Sequence, residues 1–354
     1  MKKRITVLPG DGIGPEVMTQ ALKVLDITAS KHNLEIEILE GLIGAVAIDQ
    51  TGNPLPDETI EMCRRSDAVL LGAVGHPKYD NDPNAKVRPE QGLLKIRKTL
   101  ELFANVRPIT TYKVLNSSSP LKESLVDGVD FVVYRELTGG IYFGEKGRNE
   151  DDTIAFDNCT YSREEIRRIS TLAFEAAKQR NNHVTLVDKA NVLETSRLWR
   201  DTVKKLADSL YPDVNLDFMF VDNAAMKIIQ NPAFFDVVLT ENMFGDIITD
   251  EASVITGSIG MLPSASVGEK ISLFEPIHGS YPEGAGKNIA NPFGTILSVA
   301  MMLEHFKLFD AAADIKAAVQ SALDNGKVTV DIDSVNGMKT TEVGEYLVKT
   351  IAEN

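Results

Sequence analysis

Short apolar, β-branched runs alternate with longer helical patterns along most of this 354-residue chain. That alternation restricts the fold more than any other feature of the sequence. The runs are Ile5–Leu8, Leu34–Leu39, Ala68–Leu71, Phe131–Tyr134, His183–Val187, Leu216–Val221 and Phe235–Leu239. Most have the continuous apolar character of strands buried on both faces. Between them lie helical segments such as Pro15–Ser30, Ser162–Gln179 and Asn291–Phe306. Pro15 suits a first helical turn, and Ser162 with Glu165 has the S-x-x-E form of a capping box. The tail Thr341–Asn354 reads as a final helix. Strands alternating with helices predict an α/β fold with a largely parallel sheet. The length allows two domains or one large one.

One segment breaks the alternation. From Leu137 to Thr160 there is no helical period, and the stretch carries four glycines, several aromatics and many charges. A loop of this length inside a compact domain is usually functional or disordered. Its aromatics, with Tyr161 just beyond, favour packing, as a hairpin or as an arm that pairs with another subunit.

The net charge of −14 argues against nucleic acid as a partner, because phosphate backbones require a basic surface. It leaves room for small anionic substrates, which need only a local arginine cluster. Two cysteines, Cys63 and Cys159, lack metal-type spacing and suggest a reducing compartment. The apolar run after Lys2-Lys3-Arg4 is too short for a signal peptide, and no apolar span is long enough for a membrane helix. The expected location is the cytoplasm.

Gly10-Asp11-Gly12-Ile13-Gly14 follows a strand and opens a helix, as a Rossmann fingerprint does. The third glycine comes one residue early, and Glu16 sits where a pyrophosphate would bind. The loop is therefore read as a glycine-rich turn beside a site.

Asp246 and Asp250 stand four residues apart in a helical pattern, on one helix face. Two like charges there cost roughly 0.2–0.5 kcal/mol, so a compensating charge is expected. A hard divalent cation is one candidate; a solvated acidic face is the alternative. Arg97, Arg107 and Arg135 occur in otherwise apolar contexts, Arg135 at the end of a strand. Such arginines pair with an internal carboxylate or with a carboxylate ligand held bidentately. Lys189 falls where a strand gives way to a helix, and Asp222 ends a strand pattern. Ligands of open α/β sheets bind at strand C-termini. A lysine there can act as a base, and the phenol of Tyr142 as an acid.

Taken together, these motifs resemble those of the isocitrate/isopropylmalate-type β-decarboxylating dehydrogenases. The resemblance covers essentially the whole chain. It is carried by Leu8–Glu16, the arginine segments, Glu136–Gly144, Asp188–Asn191, the Asp246/Asp250 helix and His278–Pro292. It implies a two-domain α/β fold with a large, mostly parallel sheet that binds NAD without a Rossmann domain. Residues 1–103 with 255–354 would form the first, cofactor-binding domain. Residues 104–254 would form the second, dimerising domain, with an arm at about 137–160.

The implied reaction is the metal-dependent, NAD-linked oxidation and decarboxylation of a 2-hydroxy acid, here 3-isopropylmalate. Tyr142 and Lys189 would be catalytic. Arg97, Arg107, Arg135, Asp222, Glu90 and Leu93 would bind substrate, with Leu93 and Leu94 suiting a branched alkyl group. Asp222, Asp246 and Asp250 would hold Mg²⁺ or Mn²⁺. Glu90, Asn191, His278, Gly279, Ser280, Glu283, Gly286 and Asn291 would bind NAD. Glu283 replaces the usual Asp at the adenosine ribose, and Gly284 stands where a bulkier apolar residue is common. The resemblance also implies a homodimer with shared active sites, Lys189 and Asp222 coming from the partner. Isocitrate, homoisocitrate, malate and tartrate are alternative substrates. A non-catalytic NAD-binding subunit and a metal-binding structural protein are the readings from other classes.

Overall fold

The computed structural model describes residues 2–80 and 85–353. The chain divides into two compact units, Met1–Leu102 with Ser258–Asn354, and Phe103–Gly257. Among the described residues each unit has a row of five mostly parallel strands flanked by helices, the α/β architecture expected from the alternating pattern.

In the first unit the strand order is Glu35–Glu40, Lys2–Gly10, Ala68–Ala73, Ser272–Pro276, Pro263–Val267. All neighbours are parallel except the last pair. Leu8, Val69, Leu71 and Leu273 from the strands meet Ile43, Leu55 and Ile96 in one buried cluster. The helix Gly14–Lys31 starts with Pro15 in its first turn and packs against the helix Thr340–Glu353. Asn354, the last residue of the expected final helix, lies outside the described residues.

In the second unit the order is Ala104–Thr110, Asp130–Glu136, Val237–Thr240, His183–Asp188, Asn215–Phe220. The first pair is antiparallel and the rest parallel. Phe131, Val133, Val187 and Val238 pack with Ile109, Ile248 and Ile255. The helix Arg163–Lys178 has the full capping box at Ser162 and Glu165. The irregular segment holds a helical turn, Gly140–Tyr142, and an antiparallel hairpin of Lys146–Arg148 with Ala155–Asp157.

Two sequence expectations are corrected. Asp222 does not end a strand: the strand stops at Phe220, and Asp222 lies in the first turn of the helix Val221–Gln230. Val221 extends the apolar run and hides this boundary. An acidic side chain in a first turn suits the positive end of the helix dipole. Arg135 lies inside its strand, which continues to Glu136.

Candidate active site

The second unit gathers charged groups around the helix Asn242–Val254, which follows directly on a buried strand. Glu241 caps this helix by accepting from the Phe244 N–H at 2.8 Å. Asp246 and Asp250 lie one turn apart on it. Arg135 donates through Nη1 to Asp246 Oδ1, and the Tyr142 hydroxyl donates to Asp246 Oδ2 at 3.0 Å. Arg107 donates to Asp250 Oδ1 at 2.9 Å and to Thr249 Oγ1 at 2.8 Å. The compensation for the two like charges is therefore two guanidinium groups, so the spacing alone does not demand a cation. Arg135 is nearly buried and Asp250 mostly exposed, with side chains 7% and 69% accessible.

Tyr142 reaches Asp246 from the turn Gly140–Tyr142. Gly140 has φ +75°, and a Cβ there would fall 2.3 Å from the Tyr161 hydroxyl, so a side chain would be strained as well as blocked. Tyr161 accepts from the Asn242 N–H at 3.0 Å and donates to Glu241 Oε2 at 3.1 Å. Its ring meets Trp199 edge-on, with centroids 5.4 Å apart. Burial, then the hydrogen bond and charge of Asp246, push the Tyr142 phenol above its ordinary pKa, while Arg135 pulls it down. The chain's own anion outweighs its own arginine here.

Lys189 and Asp222 form a separate pair. Lys189 Nζ donates to Asp222 Oδ1 at 2.6 Å. That bond holds the Asp222 carboxyl below its usual range. Asn191 is exposed in the turn after the strand His183–Asp188. Among the described residues, no three His, Cys, Asp or Glu side chains are grouped closely enough to hold a metal ion. The oxygen donors of Asp246 and Asp250 suit Mg²⁺ or Mn²⁺ in chemistry, and Asp222 stands with Lys189 instead.

In the first unit, Arg97 donates to Glu275 Oε1 at 2.8 Å. Both side chains are largely buried. Glu90 opens the helix Glu90–Thr99 and is exposed. Leu93 packs partly against the core, whereas Leu94 is 53% exposed.

The loop after the strand Ser272–Pro276 rests on the start of the first helix. Ile13 N–H donates to Ser280 O at 2.8 Å. The Glu16 carboxylate accepts from the Gly286 N–H, and from the Asn288 N–H at 3.1 Å. Glu16 thus organises this loop from the place a pyrophosphate would take in a Rossmann fold. Gly279 and Gly286 have open space where a Cβ would stand. The buried His278 Nε2 has no hydrogen-bond partner among the described residues, and burial lowers its ring's pKa. Asn291 donates to Asp331 Oδ2 at 3.0 Å. Glu283 is exposed. The Tyr281 ring covers Gly284, whose Cβ would lie 2.3 Å from it, so the missing apolar side chain is replaced by a neighbour's ring. An open backbone, an unpaired buried nitrogen and an exposed carboxylate are compatible with a dinucleotide.

Sequence reasoning gave no site role to Glu136, Glu241, Asn242, Tyr161, Glu275 or Asp331, and did not see that Glu16 holds the loop. Glu136 is fully buried and accepts from Thr138 and Gly139 N–H groups at 2.9 and 2.7 Å. Its signals in the sequence were its place beside Arg135 and at the head of the Glu136–Gly144 motif.

A family model described as isocitrate/isopropylmalate dehydrogenase matches residues 4–347. A 3-isopropylmalate dehydrogenase of Bacteroides fragilis is 53% identical over 353 residues, covering 99% of each chain. That of Bacillus subtilis is 52% identical, covering 97% of this chain and 95% of its own. Among solved structures, isocitrate dehydrogenase from Methylococcus capsulatus aligns with a TM-score of 0.87 at 32% identity, over 99% of each chain. A β-decarboxylating dehydrogenase from Thermococcus kodakarensis, in its apo form, aligns at 0.82 with 37% identity, over 99% of this chain and 96% of its own.

Proposed function

Because the chain belongs to the isocitrate/isopropylmalate dehydrogenase family, we propose that it oxidises (2R,3S)-3-isopropylmalate to 2-oxo-4-methylpentanoate with loss of CO₂, in leucine biosynthesis. The observation that carries the site assignment is the Arg135–Asp246–Tyr142 cluster, which sets an anion-binding group, a metal-type carboxylate and a phenol within one hydrogen-bonded group.

Bound NAD⁺ supplies the hydride acceptor, and bound Mg²⁺ or Mn²⁺ the Lewis acid that acidifies the substrate hydroxyl and stabilises enolate charge. Asp246 and Asp250, with Asp222 of a second copy, would hold the cation. Arg97, Arg107 and Arg135 exchange their internal carboxylate partners for those of the substrate. Charge-assisted bonds of that kind are worth roughly 1.5–3 kcal/mol each. Lys189 of the second copy takes the C2 hydroxyl proton, and Tyr142 delivers a proton to C3 after CO₂ leaves.

Leu93 and Leu94 receive the isopropyl group. Burying it contributes about 1.5–3 kcal/mol, by analogy with a Val or Leu side chain. Glu90, Asn191 and the loop from His278 to Asn291 bind NAD. Glu283 accepts from the adenosine ribose hydroxyls and repels the extra phosphate of NADP.

The protein works as a homodimer. Exposed apolar residues on two helices support this: Met226 and Ile229 on Val221–Gln230, Ile247 and Val254 on Asn242–Val254. No described helix is long and apolar enough to cross a membrane, and we place the enzyme in the cytoplasm.

NADH absorbance with NAD⁺, Mn²⁺ and 3-isopropylmalate tests the reading, with isocitrate, malate, tartrate, NADP⁺ and a chelator run in parallel. Chelator-sensitive turnover fastest on 3-isopropylmalate with NAD⁺ is expected. Turnover on another acid alone keeps the mechanism and removes the alkyl pocket. No turnover on any of them removes the catalytic assignment.

A further inference from the structure

We infer that Asn242 is a positioning residue that sets the orientation of Arg135 and the turn carrying Tyr142 from a single amide group. The inference rests on the dehydrogenase reading. Asn242 is 1% exposed and begins the helix Asn242–Val254. Its Oδ1 accepts from Arg135 Nη2 at 2.9 Å and from Nε at 3.2 Å. Its Nδ2 donates to the Gly139 carbonyl at 3.2 Å, and Gly139 immediately precedes the turn Gly140–Tyr142.

The rest of that helix face is shaped to the same arginine. Residues three and four positions apart share a face, and Gly245 and Asp246 follow Asn242 at those spacings. A Cβ at Gly245 would stand 2.6 Å from Arg135 Cγ, so the glycine makes room for the arginine's stem. Asp246 takes Nη1. The guanidinium carbon then lies 5.9 Å from the centre of the Tyr142 ring. Asn242 therefore holds one edge of the guanidinium while Asp246 engages another. An amide accepts from a guanidinium and donates to a carbonyl at the same time. A carboxylate of the same shape can do only the first, and a methyl group neither.

Asn242→Asp and Asn242→Ala separate the two functions. Steady-state kinetics on both variants, with a thermal melt of each, provide the test. In Asn242→Asp the acceptor for Arg135 survives, so KM for 3-isopropylmalate stays within about threefold of wild type. The Gly139 carbonyl loses its donor, and kcat falls about tenfold or more, because small misplacements of a catalytic group are costly. In Asn242→Ala both effects appear, with KM for 3-isopropylmalate raised about tenfold or more because one edge of the guanidinium loses its acceptor. KM for NAD⁺ is unchanged in both. A purely structural role would lower kcat only in proportion to the folded fraction and leave both KM values alone. That outcome, or wild-type kinetics in two folded variants, overturns the inference. Wild-type turnover in the same assay separately tests the dehydrogenase reading.

Discussion

At the scale of single residues, both conspicuous aspartates are already engaged. Asp246 meets Arg135 and Tyr142, and Asp250 meets Arg107. A cation would therefore take the aspartate half, and a dicarboxylate substrate the arginine half, of the same ion pairs. Each frees the group the other needs, which couples their binding in the favourable direction. Tyr142 adds a pH signature. Burial first, then Asp246, raises its phenol above the ordinary value near 10. Raised in the folded state, its contribution to stability is complete below the ordinary phenol pKa. It is lost as pH climbs through the raised one. Difference absorbance at the phenolate band, wild type minus Tyr142→Phe, should show one group titrating above the range of a free tyrosine. A midpoint at or below that range would contradict the geometry.

At the scale of elements, the strongest strands and the Ser162 cap were legible because each is written in local residue types. Ser162→Ala should cost about 1 kcal/mol and lower Tm by about 1–3 °C. Calorimetry showing no change would mean the capping box adds nothing to the fold. Other elements were hidden. The strand Ala104–Thr110 carries Arg107 and Pro108. The strands Pro263–Val267 and Ser272–Pro276 dilute their apolar pattern with buried serines. The site was legible only in part for a related reason. The i, i+4 aspartates are a local pattern, but their partners are not. Arg135 meets a residue 111 positions away, and Arg107 one 143 away. Sequence could name the ends of these pairs but not join them.

At the scale of the whole molecule, assembly is the testable consequence. Lys189 is bonded to Asp222, and Tyr142 to Asp246, in two distinct groups of one chain. If the proposed sites are shared across a two-fold axis, Lys189→Ala and Asp246→Asn should each be inactive alone. Mixed and refolded together, they should regain activity, because half of the sites in a hybrid dimer contain neither change. Sedimentation analysis should show a dimer. A monomer with full activity would rule the shared site out.

Trp199 is the sole tryptophan. It is almost wholly shielded from water, its indole N–H has no partner among the described residues, and its ring stands edge-on to Tyr161. The Tyr161 hydroxyl in turn holds the first amide of the aspartate-bearing helix. The chain therefore carries one indole emitter, set one aromatic contact and one hydrogen bond from the aspartate-bearing helix. Its colour and lifetime record the state of that helix end without any label.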